Sequence, residues 1–293
     1  MTSEDPPTTR WLPPLASEPP PPEAPAPLPP EPPRLPIWLP FVALLAVLVI
    51  VNLIGVAVFG VLAAADPSIK EFGDLPEAAQ LGLTLVQDVL FVLGAYVAVL
   101  LALGRAPREQ FGLRRVGRPG RAVLWAAAVF AGFWLVTLVL TAIFGSPGDQ
   151  ELVKDVRAED SLPALIGYGV LICIAAPVVE EVFFRGFMFT IFRRRLGVAW
   201  GSLLVGVVFG IGHAPAPAIS LVALGAFGVG LCLLYWRTQS IIPGMALHAL
   251  NNAITFGAVK SLEPGLFVAV VVCSVSLVVA GASAVAARSA VTA

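Results

Sequence analysis

Hydrophobic positions along this chain do not alternate with polar ones at a strand period, nor do they form a one-sided helical stripe. They come in long runs separated by short polar breaks. A helix rising 1.5 Å per residue needs about 20 predominantly apolar residues to cross a bilayer. Eight runs approach that length: 41–64, 81–104, 122–144, 163–192, 198–214, 218–236, 240–258 and 264–287. Backbone polar groups in lipid must be satisfied within their own segment, so each run is expected to be helical. The expected fold class is all-α: a polytopic transmembrane helical bundle of about eight spans. The fourth run is long and polar near its end, and the fifth and seventh are short or Gly-rich.

Composition agrees with that pattern. Of the 293 residues, 58% are hydrophobic and only 13% charged, about half the usual ~25% of a soluble domain. A soluble globular protein is thereby excluded. The net charge of −1 excludes a nucleic-acid binder driven by phosphate contacts. Cys173, Cys232 and Cys273 lie far apart inside apolar runs, with no spacing of a disulfide framework or thiolate metal site.

Before the first run, residues 1–40 hold 16 of the 27 prolines, including Pro19–Pro22. Such a segment forms neither helix nor packed core. It reads as a disordered or polyproline-II cytoplasmic tail, a spacer or a docking segment for an SH3-like partner. Its excess of acids and the length of the run that follows argue against a signal peptide. Residues 41–290 then form the transmembrane helical domain. Arg105, Arg108, Arg114, Arg115, Arg118, Arg121, Arg193–Arg195, Arg237 and Arg288 fall on one side of an eight-span arrangement. Asp149, Glu151, Asp155, Glu159 and Asp160 fall on the other. By the positive-inside rule both termini are expected in the cytoplasm, in an integral protein of the plasma membrane.

Ionisable groups within the bilayer are costly and mark function by default. Here they are Asp88, Glu180, Glu181, Arg185, His213 and His248, with Asn52, Asn251 and Asn252 as uncharged companions; both histidines of the chain are among them. Asp88, beside Gln87, reads as helix–helix glue. Glu181 and Arg185 are i, i+4 and can neutralise each other. Glu180, about 100° away on a helix, is expected to face other partners. His248 and Asn252 share a face at i, i+4, as do Phe209 and His213. Counted from the basic ends of their spans, Glu180 lies about 18 Å deep, His213 about 22 Å, His248 about 12 Å and Asn252 about 18 Å. Gly206 and Gly210 make a small-xxx-small pair, expected to help His213 approach Glu180.

A carboxylate with an imidazole can activate water, and imidazole and carboxamide N–H groups can hold an oxyanion. Together they suit hydrolysis of an acyl bond without a covalent nucleophile. Glu180, His213 and His248 could instead be a two-His, one-carboxylate zinc site with an open position. A third reading is a non-enzymatic membrane protein, a transporter or an immunity-type partner. His-Glu-x-x-His, Gly-x-Ser-x-Gly and Walker A patterns are absent from the sequence.

The spacings Glu180-Glu181-x-x-x-Arg185, Phe209-x-x-x-His213 and His248-x-x-x-Asn252 resemble the three motifs of the CAAX protease and bacteriocin-processing family, over about residues 160–260. That resemblance implies an intramembrane glutamic endopeptidase. It makes Glu180 the base that activates water with help from His213, and His248 and Asn252 the oxyanion hole. Glu181, Arg185 and Phe209 would support them. It implies no cofactor, although such proteins are also described as metalloproteases. The partners implied are the bilayer and a membrane-associated protein or peptide substrate, with no nucleic acid.

Overall fold

A computed structural model describes residues 35–106, 108–146 and 151–288. The Pro-rich tail up to residue 34 and Asp149 lie outside the described residues, as do the side chains of Arg108, Glu151 and Arg288. Helices α1 (Leu39–Ala65), α2 (Glu77–Leu103) and α3 (Pro119–Phe144) have 26 or 27 residues each, about 40 Å at 1.5 Å per residue. Proline stands in the first turn of α1 and α3, where its missing N–H costs nothing. A short helix α4 (Glu151–Ala158) follows. Then comes the 50-residue stretch Leu162–Ile211, helical on both sides of a break at Gly197. It comprises α5 (Leu162–Val170), a π-helical turn Leu171–Ala175, α6 (Ala176–Glu180), a longer π-helical segment Glu181–Phe189, and α7 (Thr190–Ile211). Helices α8 (Ala218–Thr238), α9 (Ile242–Val259) and α10 (Pro264–Arg288) complete the bundle.

Drawn straight, 50 residues of helix would run about 75 Å, far beyond a hydrocarbon core of about 30 Å. Gly197 breaks the stretch with φ +79° and ψ 172°, a left-handed conformation that glycine adopts without Cβ strain. The chain doubles back there: a Cβ on Gly201 would lie 3.0 Å from the Arg193 nitrogen. The expected boundary between the fourth and fifth spans is therefore this hairpin. Six stretches of the described residues are long and apolar enough to cross a membrane, and Leu162–Ile211 is one of them although it folds into two legs. Helix α9 is not among the six. His248, Asn251 and Asn252 dilute its hydropathy, and neighbouring helices shield it instead of lipid: Met245, Leu247, Ala249 and Ala253 are all buried. With both legs and α9 counted, the bundle has the eight expected spans.

Outer and inner helices differ as their surroundings require. Among the buried residues of α3 there is only Ala122, and Val123, Leu124, Leu135, Leu138 and Ile143 face outward, as a lipid-facing wall should. Phe183, Phe187, Met188, Phe189 and Phe192 are shut inside. Glycines bring α7 against α8. A Cβ on Gly206 would meet the Gly225 carbonyl oxygen at 2.7 Å, and one on Gly210 the Leu221 oxygen at 2.5 Å. This corrects the sequence expectation. The small-residue face seats α7 on α8 and does not itself bring α7 to the helix of Glu180.

The basic loops gather at one end, with the start of α1. The Ile241 N–H donates to the Gly112 carbonyl at 3.1 Å, and the Ser240 hydroxyl to Arg114 O at 2.7 Å. Arg195 Nε donates to Leu35 O at 3.0 Å. Arg237 lies 4.5 Å from the rings of both Trp125 and Trp236, amphipathic rings that suit a membrane–water boundary. At the far end of α9, Lys260 Nζ donates to Glu159 O at 2.7 Å and Arg157 O at 3.3 Å, tying down the link between α4 and α5.

Candidate active site

Pro177 sets the local geometry of the Glu180 segment. In the π-helical turn before it, the Ala176 N–H reaches back five residues to the Leu171 carbonyl. In that register the donor to Ile172 O would be residue 177, and proline has no N–H. The Asn252 side chain supplies the missing bond, Nδ2 to Ile172 O at 2.9 Å. One amide N–H of Asn252 is thus committed to the fold, which leaves one hydrogen to donate elsewhere. Further along, the Thr190 hydroxyl donates to Arg185 O at 3.2 Å, again a five-residue reach. Wide turns of this kind re-aim side chains and are frequent at functional sites.

Glu181 and Arg185 form the expected i, i+4 pair, Oε1 to Nη1 at 2.9 Å, and both side chains are fully buried. Arg185 also donates to Gly228 O at 3.3 Å and lies 4.4 Å from the Phe209 ring centroid. Gly244 leaves room for the carboxylate, since a Cβ there would meet Glu181 Oε2 at 2.6 Å. His248 lies between the two glutamates. Its Nδ1 is 3.4 Å from Glu181 Oε1 and its Nε2 is 3.8 Å from Glu180 Oε2. Adjacent acids were expected to have separate partners. They share one because the imidazole presents a nitrogen at each edge and the backbone leaves α-helical register at Glu181.

Glu180 is the open member of the pair. Its side chain is 25% exposed, and its Oε2 has no hydrogen-bond partner. His213 lies in the turn two residues beyond the end of α7, its ring 4.8 Å from that of Phe209. His213 Nδ1 lies 2.8 Å from Phe209 O. The carbonyl can only accept, so Nδ1 carries the hydrogen and the neutral ring's Nε2 is an acceptor. Phe209 is the hub of the arrangement. It touches Arg185, packs edge-on against Phe184 at 5.2 Å, and stands 6.0 Å from the His248 ring.

Glu180, His213, His248 and Asn252 all line one cavity of about 730 Å³. Glu180 stands directly beside His248, and it shares the cavity with His213. Asn52 takes no part: it is exposed on α1 and donates to Leu48 O of its own helix at 2.8 Å. Asp88 and Asn251 do take part, both buried and both lining the cavity. Asp88 was read as glue, yet its Oδ2 has no hydrogen-bond partner. Depth could have revealed it, because 15 residues from the basic end of α2 put it about 22 Å in, level with His213. Among the described residues, no three His, Cys, Asp or Glu converge as a metal site.

Comparison with known proteins adds an independent line. The family described as Type II CAAX prenyl endopeptidase Rce1-like matches residues 162–254, a span containing every motif residue above. The chain is 27% identical over 188 residues to "Putative membrane peptidase YdiL" of Bacillus subtilis, covering 60% of this chain and 72% of that protein. It is 29% identical over 174 residues to an "Uncharacterized 24.3 kDa protein" of Escherichia coli, covering 58% and 74%. No solved structure matches it at a significant level. The three motifs, in order and folded around one cavity, lie within the residues 162–254 over which the chain is similar to the Rce1-like CAAX prenyl endopeptidase family.

Proposed function

We propose that this chain is an intramembrane endopeptidase that hydrolyses a peptide bond of a membrane-associated protein or peptide through directly activated water. The observation that carries the reading is the part-exposed Glu180 carboxylate beside His248 in a cavity that His213 also lines. Glu180 and the His213 Nε2 lone pair are the two acceptors for a water proton. The hydroxide so generated adds to the carbonyl carbon. His248 and the uncommitted N–H of Asn252 are the donors for the resulting oxyanion. Collapse breaks the C–N bond, and the proton taken from water passes to the departing amine. Water is consumed, and a carboxylate and an amine are formed. Glu181, Arg185 and Phe209 hold His248 and His213 in place.

The Arg-rich end and both termini face the cytoplasm in this reading, by the positive-inside rule. Labelling of a cysteine at position 114 from outside intact cells would overturn that orientation. The activity is tested by comparing membrane peptides in cells carrying wild-type protein or Glu180→Gln, followed by cleavage assays of the enriched peptides in proteoliposomes. Cleavage is expected for wild type only. Equal peptide profiles and equal cleavage would sink the assignment of Glu180. Retention of activity after chelation supports the metal-free route. Stoichiometric zinc, lost together with activity in His248→Ala, would replace that route with a metalloprotease.

A further inference from the structure

Asp88 sits midway along α2, only 6% exposed, on the wall of the cavity that holds Glu180. Its Oδ2 is buried and has no hydrogen-bond partner. Polar groups that merely stabilise this bundle look different. Thr238 donates to the Leu234 carbonyl, and Asn52 bonds its own helix. A carboxylate in a membrane interior is retained against a large desolvation cost when something neutralises it. Among the described residues no Lys or Arg nearby does so. Helices α1 and α2 contain no Lys or Arg, and the one cation of 162–192, Arg185, is committed to Glu181. Glu180, on α6 packed against α2, only repels it.

The remainder of the wall sharpens the picture. Among the described residues lining the cavity there are two carboxylic residues, two histidines and several amides and hydroxyls, but no Lys or Arg. Thr84, Gln87, Asp88 and Phe91 follow one another at i, i+3, i+4 and i+7 on α2, and all four line it. That spacing forms one continuous helical face, polar at three positions and aromatic at the fourth. Leu44, Leu48, Phe133 and Trp134 contribute apolar wall. The charge complement of such a cavity is a cation on an otherwise apolar segment. A free carboxylate, such as ends a C-terminal substrate, would meet two acids and no guanidinium or ammonium.

We propose that Asp88 is a specificity-determining residue of the site: it receives a Lys or Arg side chain of an apolar substrate segment held near Glu180. Entry of the cationic side chain gives the Asp88 carboxylate a charge-assisted partner. This rests on the endopeptidase reading for the word substrate, but the binding preference is measured without cleavage.

The experiment uses full-length Glu180→Gln protein in nanodiscs, with empty discs subtracted. The probes are fluorescent dodecapeptides of Leu and Ala carrying one central Lys, Gln or Glu. The Lys peptide is expected to bind at least about tenfold tighter than the Gln peptide, and the Glu peptide weakest. Adding Asp88→Asn should bring Lys and Gln peptides level, and Asp88→Lys should invert the order toward Glu. Equal binding of Lys and Gln peptides to protein retaining Asp88 overturns the proposal, and that arm needs no change at Asp88. So does a Lys preference that survives Asp88→Asn. In cleaving wild type, Asp88→Asn should raise KM for a Lys substrate and leave that for a Gln substrate unchanged; a loss of kcat on both alike would mark a structural role and overturn it. Absence of cleavage with the binding order intact would instead count against the endopeptidase reading alone.

Discussion

Two neighbouring glutamates divide the centre of this protein into a closed side and an open side. Around Glu181 everything is paired or packed: Arg185 at 2.9 Å, the Phe209 ring over the guanidinium, and Gly244 against the carboxylate. Around Glu180 there is a cavity, and the side chain is 25% exposed where that of Glu181 is fully buried. They are adjacent in sequence, and the same imidazole stands near both. The difference shows that composition alone does not mark the reactive acid in a membrane core. A buried carboxylate that has its counter-charge serves the fold. One left beside space and an imidazole is available for chemistry.

The largest expected effect lies on the open side. Glu180→Gln should lower kcat about 10²–10⁴-fold, the usual scale of a lost acid–base group, with the unfolding midpoint in detergent unchanged. A fully active Glu180→Gln would erase the distinction between the sides. The closed side should respond in the opposite currency. Glu181→Gln strands the buried Arg185 charge and should cost about 3–5 kcal/mol of stability, read by thermal unfolding. Replacing the pair together by Glu181→Leu and Arg185→Met should recover much of that loss. No recovery would show that the charges do more than neutralise each other.

His248 bridges the two sides, so His248→Ala should reduce kcat about 10²–10³-fold, as for a lost oxyanion donor. KM should change little, because that contact strengthens in the transition state. A KM effect without a kcat effect would move His248 to ground-state binding. Away from the site, Gly206→Val should cost about 1–3 kcal/mol through overpacking of α7 on α8, again read by thermal unfolding. A neutral result would show that the two helices separate freely.

The smallest effect belongs to a carboxylate in water. Asp74 accepts N–H bonds from Lys70 at 2.8 Å and Glu71 at 3.0 Å. The Lys70 N–H, then that of Glu71, holds its carboxyl below the usual range. A lowered folded pKa contributes stability above the unfolded value of about 3.9, and that contribution is lost as pH falls through the folded value. Unfolding midpoints measured from pH 6 downward should fall slightly less steeply in Asp74→Asn than in wild type. Identical slopes would show that this turn does not contribute to acid sensitivity.

Much of the architecture was readable because a bilayer imposes one-dimensional rules. Span length, helical state and the clustering of arginines follow from hydropathy and backbone satisfaction along the chain. The pairing of Glu181 with Arg185 was readable for the same reason, as a contact within one helix. Depth arithmetic along separate helices placed Glu180, His213, His248 and Asn252 near one level, and it would have included Asp88 had it been applied there. It carried no rotational information. Which faces meet depends on how neighbouring helices turn about their axes, and that is set by packing between segments remote in sequence. Hence the glycines of α7 turned out to seat α8, and His248 to stand between two acids. The partner of the Asn252 amide was hidden as well. It is a carbonyl freed by Pro177 some 75 residues earlier, and such a bond exists only once the two helices lie side by side.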